Sequence, residues 1–301
     1  MAKAQEEVKQ KEVYAGVYVN QIYASSLKDN QFSVDFWIWF RWKGDGIKPA
    51  ESFDLVNGRI ESRESLYEDT LSGLHYAAVR VNATMTKFWD IRRFPLDNHV
   101  LTVEIEDNEN EEYKLKYIPD VENSAVDPGV QVPGWRLGKT WPAVHSHGYK
   151  TNYGDISLPT GNESVYSRFI YAMEIIRPGY GYFLKLFLSV FIATLISFLA
   201  FAIKPTDLDP RFGLGIGAIF AAVASEYVIT SSLPDTNLIT MADKLHILAI
   251  VFIFLSLLES TISLIFFGKG KEKISRRLDT WSLIVFLAVY ITLNATVIFG
   301  R

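Results

Sequence analysis

The sequence predicts a β-sandwich followed by a bundle of four membrane-spanning helices. Two observations carry this. Residues 13–177 are a succession of short runs rich in Val, Ile, Tyr, Phe and Trp, broken by polar or Gly/Pro turns, the pattern of many antiparallel strands. After Arg177–Pro178 the pattern changes to four apolar segments, each near the ~20 residues that cross a bilayer. Charge divides at the same place. Residues 1–177 carry 26 acidic and 20 basic side chains, and residues 178–301 carry 8 and 10.

In order along the chain, residues 1–12 form a flexible, charged N-terminal segment without the pattern of a signal peptide. Residues 13–178 form the β-domain. Its clearest runs are 13–23, 32–42, 74–86, 100–105, 113–118 and 165–176. In 32–42, Phe36, Ile38, Phe40 and Trp42 share one face and are the predicted core; Asp35, Trp37, Trp39 and Arg41 share the other. Residues 179–301 form the membrane domain, with helices at about 182–203, 210–231, 242–267 and 278–299. A soluble helical bundle is the competing reading, and four segments of spanning length argue against it. The 268–277 loop holds Lys269, Lys271, Lys273, Arg276 and Arg277 against Glu272 alone. With the 204–211 loop it faces the cytoplasm by the positive-inside rule, which puts the β-domain outside, in the periplasm or extracellular space.

Composition excludes several functions. An acidic first half argues against nucleic acid. Cysteine is absent, so disulfides and thiolate metal sites are excluded. There is no Gly-x-Ser-x-Gly, phosphate loop or His-Glu-x-x-His, so an enzyme is not expected and no cofactor is implied.

The second apolar segment is the least hydrophobic. Gly213, Gly217, Phe220, Ala224, Tyr227 and Ser231 step by three or four and form one helical stripe. Such a stripe suits a water-filled axis, or close helix packing through Gly213 and Gly217. One helix cannot enclose a pore, so the first reading demands a ring of subunits. Asp209, just before the stripe, would then repeat as a ring of carboxylates that attracts cations; as a helix-start residue it has a structural role as well. Glu226, Glu259 and Lys185 are intramembrane charges that should face protein, water or the interface. Glu104–Glu112 contains six acids, among them Glu104, Glu106, Asp107 and Glu109, which together suit a divalent cation or a proton site, or form a solvated turn. His75, His99, His145 and His147 titrate near neutrality.

Particular residues resemble the pentameric ligand-gated ion channels in their prokaryotic form. Phe94–Pro95–Leu96–Asp97 is similar to the family's signature loop Phe-Pro-Phe-Asp, and the flanking cysteines of animal receptors fall on Lys87 and Leu101. Trp37 and Trp42 resemble the paired tryptophans of the second strand, Arg177 the arginine before the first membrane helix, and Leu233–Pro234 the Leu-Pro after the pore helix. The resemblance spans about residues 13–299. It implies an immunoglobulin-like sandwich and a homopentamer in the plasma membrane, with the Gly213–Ser231 stripe lining the pore. Phe220 takes the place of the central gate, and Asp209 that of the inner selectivity ring for monovalent cations. It implies that Asp29, Asp97, Arg177 and the segment holding Pro234 couple the two domains. For a small agonist bound between subunits it implies Trp37 on one side and Asp54, Asn108, Tyr149, Tyr153 and Tyr166 on the other. That box is partly polar, which disfavours a quaternary ammonium and leaves a small amine or protons as the stimulus. The rivals are a membrane-anchored β-sandwich receptor without a conducting pore, a transporter, and an anion-selective channel.

Overall fold

A computed structural model describes residues 10–151, 154 and 163–300. The chain separates into two compact units. The first holds residues up to Trp89 and Asn98–Ile176; the second holds Asp90–Asp97 and everything from Arg177 onward.

The first unit is two sheets. Strands β1 (Lys11–Ser26), β2 (Gln31–Lys43), β4 (Gly58–Leu71), β5 (Leu74–Thr86) and β7 (Leu115–Pro119) form one, in the order β4-β5-β2-β1-β7, with the short β8 (Ala125–Val126) also paired to β1. Strands β3 (Phe53–Leu55), β6 (Asn98–Asp107), β9 (Arg136–Tyr149) and β10 (Ser164–Ile176) form the other, in the order β3-β6-β10-β9. A single helical turn, α1 (Pro49–Ser52), precedes β3. The alternation in β2 decides which face goes inward. Phe36, Ile38 and Phe40 are fully buried and Trp42 nearly so, and Phe40 packs on Phe53 and Tyr117 at ring centroid distances of 5.6 and 6.0 Å. The β4–β5 hairpin turns on Ser72 and Gly73, both with positive φ, a conformation that glycine adopts without strain. Strands β4 and β9, absent from the apolar runs of the sequence, bury none of their residues fully; β4 exposes most of them and β9 mixes exposed with half-buried ones.

The second unit contains four helices long and apolar enough to cross a membrane: α2 (Gly179–Phe198, extended by a 3-10 turn to Ala202), α3 (Leu208–Thr230), α4 (Met241–Gly268) and α5 (Glu272–Phe299). Helix α4 begins with a capping box: Thr240 Oγ1 accepts from Asp243 N at 3.1 Å, and the Asp243 carboxylate accepts from Thr240 N at 2.7 Å. An aromatic cluster of Phe198, Phe201, Phe252, Phe286 and Tyr290 ties α2, α4 and α5 together.

Candidate pore lining and ligand-binding residues

Helix α3 has two distinct faces. Arg211, Gly215, Ala218, Ala222 and Ile229 are buried against the other helices. Gly213, Gly217, Phe220, Ala224, Tyr227 and Ser231 are all exposed, Phe220 by 72% and Tyr227 by 73%. A Cβ at Gly213 or Gly217 would meet nothing within 4 Å, whereas one at Gly215 would overlap the Leu257 side chain. The small residue that brings α3 close to α4 is therefore Gly215, and the Gly213–Gly217 pair takes no part in packing within the chain. Asp209 is exposed in the first turn of the helix, next to its positive dipole end. Glu226 is half-buried.

The base of α3 is held by a charge cluster that the sequence conceals. By its place at the end of the 204–211 loop Arg211 looks like an orientation charge, yet it is the largest fully buried side chain. Its guanidinium meets Asp279 of α5 at 2.5 and 3.4 Å and Glu259 of α4 at 3.4 Å, and donates to the Ile203 carbonyl at 2.9 Å. Glu259 is thus a structural partner of α3. At mid-helix, Ser225 lies 3.2 Å from Nε2 of the buried His246, whose Nδ1 is 2.9 Å from the Ala242 carbonyl, and Ser189 of α2 donates to Ser225 at 3.3 Å. With Nδ1–H donating to the carbonyl, Nε2 accepts from Ser225, so a single tautomer satisfies the whole chain.

The signature-loop residues fall in the second unit. Arg177 Nε donates to Asp97 Oδ1 at 3.3 Å, with both side chains buried, and its guanidinium lies over the rings of Phe94 (5.3 Å) and Tyr182 (5.0 Å). Asp29 lies in the first unit, in the β1–β2 turn, where Ser26 Oγ donates to its carboxylate at 2.6 Å. Pro234 is half-buried in the connection between α3 and α4.

In the first unit the expected ligand residues are partly gathered. Tyr149 of β9 and Tyr166 of β10 pack edge to face at 5.8 Å, with His147 4.7 Å from Tyr149. Asp54 pairs in register with Glu106 across β3 and β6, and Asn108 follows β6, donating its backbone N–H to the Ser52 carbonyl at 2.9 Å. Trp37 stands on the other sheet. Tyr153 lies outside the described residues. The residue that organises this group is Arg168, which sequence reasoning passed over: the single arginine of a mostly apolar strand. It donates to Glu106 at 2.7 Å, to Glu104 at 3.2 Å and to the Tyr149 hydroxyl at 3.1 Å, while Tyr149 donates to Glu106 at 2.9 Å. Burial opposes the charge on Arg168, but the hydrogen bond and charge of Glu106 outweigh it and raise its pKa. Burial, then the Glu106 hydrogen bond, raises the Tyr149 pKa.

That arginine changes the reading of the acidic run. Glu104 and Glu106 turn to Arg168. Asp107 instead accepts from Ser52 at 2.5 Å and from the backbone N–H groups of Glu109 and Asn110 at 3.0 and 2.7 Å. Among the described residues no three acidic or histidine side chains converge as a metal site. The divalent-cation expectation for Glu104, Glu106, Asp107 and Glu109 is therefore corrected: successive residues of a strand point to opposite faces, so Asp107 lies opposite Glu104 and Glu106, whose shared face is taken by Arg168.

No family model matches the chain. It is 26% identical over 201 residues to a gamma-aminobutyric acid receptor subunit beta-like protein of Drosophila melanogaster, which covers 66% of this chain and 38% of that protein. It is 23% identical over 218 residues to a gamma-aminobutyric acid receptor subunit beta of Caenorhabditis elegans, covering 71% and 37%. The chain spans a little over a third of the length of these curated relatives. With a large N-terminal β-domain and four apolar helices, it is a multi-pass plasma-membrane protein.

Proposed function

We propose that the chain is a subunit of a ligand-gated ion channel, a homopentamer in which five copies of α3 line a central pore. The observation that carries this reading is the uncovered stripe of α3. Six residues at helical spacing, two of them large aromatics, are left open by the chain's own helices, while the opposite stripe is buried. A groove of about 590 Å³ between α2 and α3, bordered by Leu188, Ile192 and Gly217, gives a neighbouring copy's helix a seat. The receptor-subunit names of the relatives support a channel and not an enzyme.

In this reading Phe220 is the gate, because a ring of apolar side chains stops ions by dewetting before it closes sterically. Asp209, exposed at the cytoplasmic mouth, favours monovalent cations. The first unit lies outside the membrane and takes a small ligand, with Asp54, Asn108, Tyr149, Tyr153 and Tyr166 from one subunit and Trp37 from the next. The relatives' names suggest a small amino acid as one candidate, and the partly polar box suits an amine held by a carboxylate. Protons are the other stimulus. Asp29, Asp97, Arg177 and the segment around Pro234 carry the signal to α3.

Voltage clamp of membranes expressing the chain tests this, with steps of pH and additions of gamma-aminobutyric acid and other small amines. Phe220→Ala is expected to leak current without a stimulus. Reversal near the Na⁺ potential, shifted by Asp209→Ala, supports cation selectivity; reversal near the Cl⁻ potential assigns an anion channel. No current from Phe220→Ala, in protein shown to reach the membrane as a pentamer, would leave the anchored receptor without a pore as the better account.

A further inference from the structure

A cavity of about 850 Å³ opens in the first unit between the start of β4, the end of β5 and the middle of β6. It is distinct from the Tyr149–Tyr166 group. Its wall is rich in donors: Lys87 and Arg59 are cations, and Gln31, Thr84 and Thr86 are neutral. Arg59 is already paired with Glu61 at 2.9 Å. The one acid of the lining, Glu104, is engaged by Arg168 at 3.2 Å and by the Thr102 hydroxyl at 3.0 Å. Lys87 is half-buried and makes no salt bridge among the described residues. Burial lowers its pKa, and the charge of Glu104 only partly offsets this, the condition of an ammonium short of counter-charge. In a unit where acids outnumber bases, such a donor-lined hollow needs a reason.

We propose that this cavity binds a small carboxylate, whose anionic group pairs with Lys87 and whose remainder is held by Gln31 and the threonine hydroxyls. A charge-assisted hydrogen bond from Lys87 supplies the anchor, and the neutral donors fix orientation. The backbone beneath gives the site a consequence that rests on the channel reading. Lys87 N donates to Asn30 O at 2.7 Å, at the end of the turn that holds Asp29, and Thr86 N donates to Asn57 O at 2.7 Å. Three residues after Lys87 the chain enters the Asp90–Asp97 segment. A carboxylate bound here stiffens both coupling elements at their roots and modulates gating without occupying the agonist site.

The test is calorimetric titration of the purified full chain in nanodiscs with succinate as the probe, at constant ionic strength. Wild type is expected to bind saturably, one succinate per chain. Lys87→Met is expected to weaken binding at least tenfold, Lys87→Arg to restore most of it, and Thr86→Val, which leaves the charge in place, to weaken it a few-fold. Absence of saturable binding overturns the proposal, as does equal binding by folded Lys87→Met. If Lys87→Met does not fold, Thr86→Val and Lys87→Arg decide: wild-type affinity in the first or lost binding in the second overturns it. Sulfate competing as well as succinate overturns the carboxylate assignment in favour of a generic anion site. The readout needs no current, so succinate binding in an electrically silent protein would count against the channel reading and not against this site.

Discussion

Arg211→Met should be among the most damaging single substitutions in the membrane unit. Arg211 is fully buried, with Asp279 at 2.5 Å and Glu259 at 3.4 Å. The two pairs are worth roughly 5–7 kcal/mol each of Coulomb energy at an effective dielectric near 20, and desolvating three ions takes most of this back. Intact, the cluster therefore adds little net stability. Removing the arginine is different, because two carboxylates stay buried beside each other without a counter-ion. Breaking a buried pair from one side costs about 3–5 kcal/mol, which in a unit of this size lowers the melting temperature by about 10 °C or more. Glu259→Gln leaves one arginine facing one aspartate and should change stability by less than about 1 kcal/mol. The double variant Arg211→Met/Glu259→Gln should recover at least about 1 kcal/mol of the loss, since it removes one orphaned charge. Thermal unfolding in detergent, followed by the loss of the oligomer peak on gel filtration, gives all three. Equal damage from Glu259→Gln and Arg211→Met, or no rescue in the double variant, would refute the charge-balance argument.

Two further outcomes follow from geometry. Gly215→Ala should destabilise the bundle by about 1–2 kcal/mol, because the new methyl meets Leu257; Gly217→Ala, whose methyl meets no atom of its own chain, should cost less than that in the same melting experiment. In the first unit, Asp35 is held below the ordinary carboxylate pKa, chiefly by its hydrogen bonds to Arg80 at 2.6 and 3.1 Å, with burial opposing. Its stabilisation is present above the unfolded value near 3.9 and is lost as pH falls through the lower folded value. Thermal scans between about pH 2.5 and 6 should show an acid-side decline that Arg80→Met flattens; an unchanged pH slope in that variant would discount Asp35 as its source.

What could be read from sequence depended on whether a segment's burial was lopsided. Strand β2 buries one face only, so its alternation was visible, and the apolar helices announced themselves by length. Strands β4 and β9 have no fully buried face, so no clear period-two signal exists, and they emerge only through pairing with β5 and β10. The stripe on α3 was legible because its residues are small, hydroxylic or aromatic among aliphatic neighbours. Arg211 was not, since a basic residue beside a cytoplasmic loop looks like an orientation signal, and its two acidic partners lie 48 and 68 residues away. Arg168 was hidden for a related reason: the acids it clamps belong to a strand some 60 residues earlier.

The signature loop bears on how gating would be transmitted. Residues 90–97 leave β5 and return to β6, both in the first unit, yet pack as part of the second. What holds them there is dense. Phe94 is buried, Asp97 is paired to Arg177, and Arg93 donates to the Ile298 carbonyl at 3.4 Å, near the end of α5. Arg177 is in turn fixed between two aromatic rings, one from the loop and one from α2. A buried pair so enclosed is costly to break, by about 3–5 kcal/mol if one partner is lost. That approaches the ~5.5 kcal/mol that takes a two-state equilibrium from 1:99 to 99:1. The Asp97–Arg177 contact therefore suits a permanent staple better than a contact exchanged at each opening. Loop and first membrane helix would move as one body, and the rearrangement that selects open or closed must fall on weaker contacts, such as the exposed Asp29–Ser26 turn. In that case Asp97→Asn should lower thermal stability at least as much as it shifts agonist sensitivity, whereas Asp29→Asn should shift sensitivity and leave stability alone.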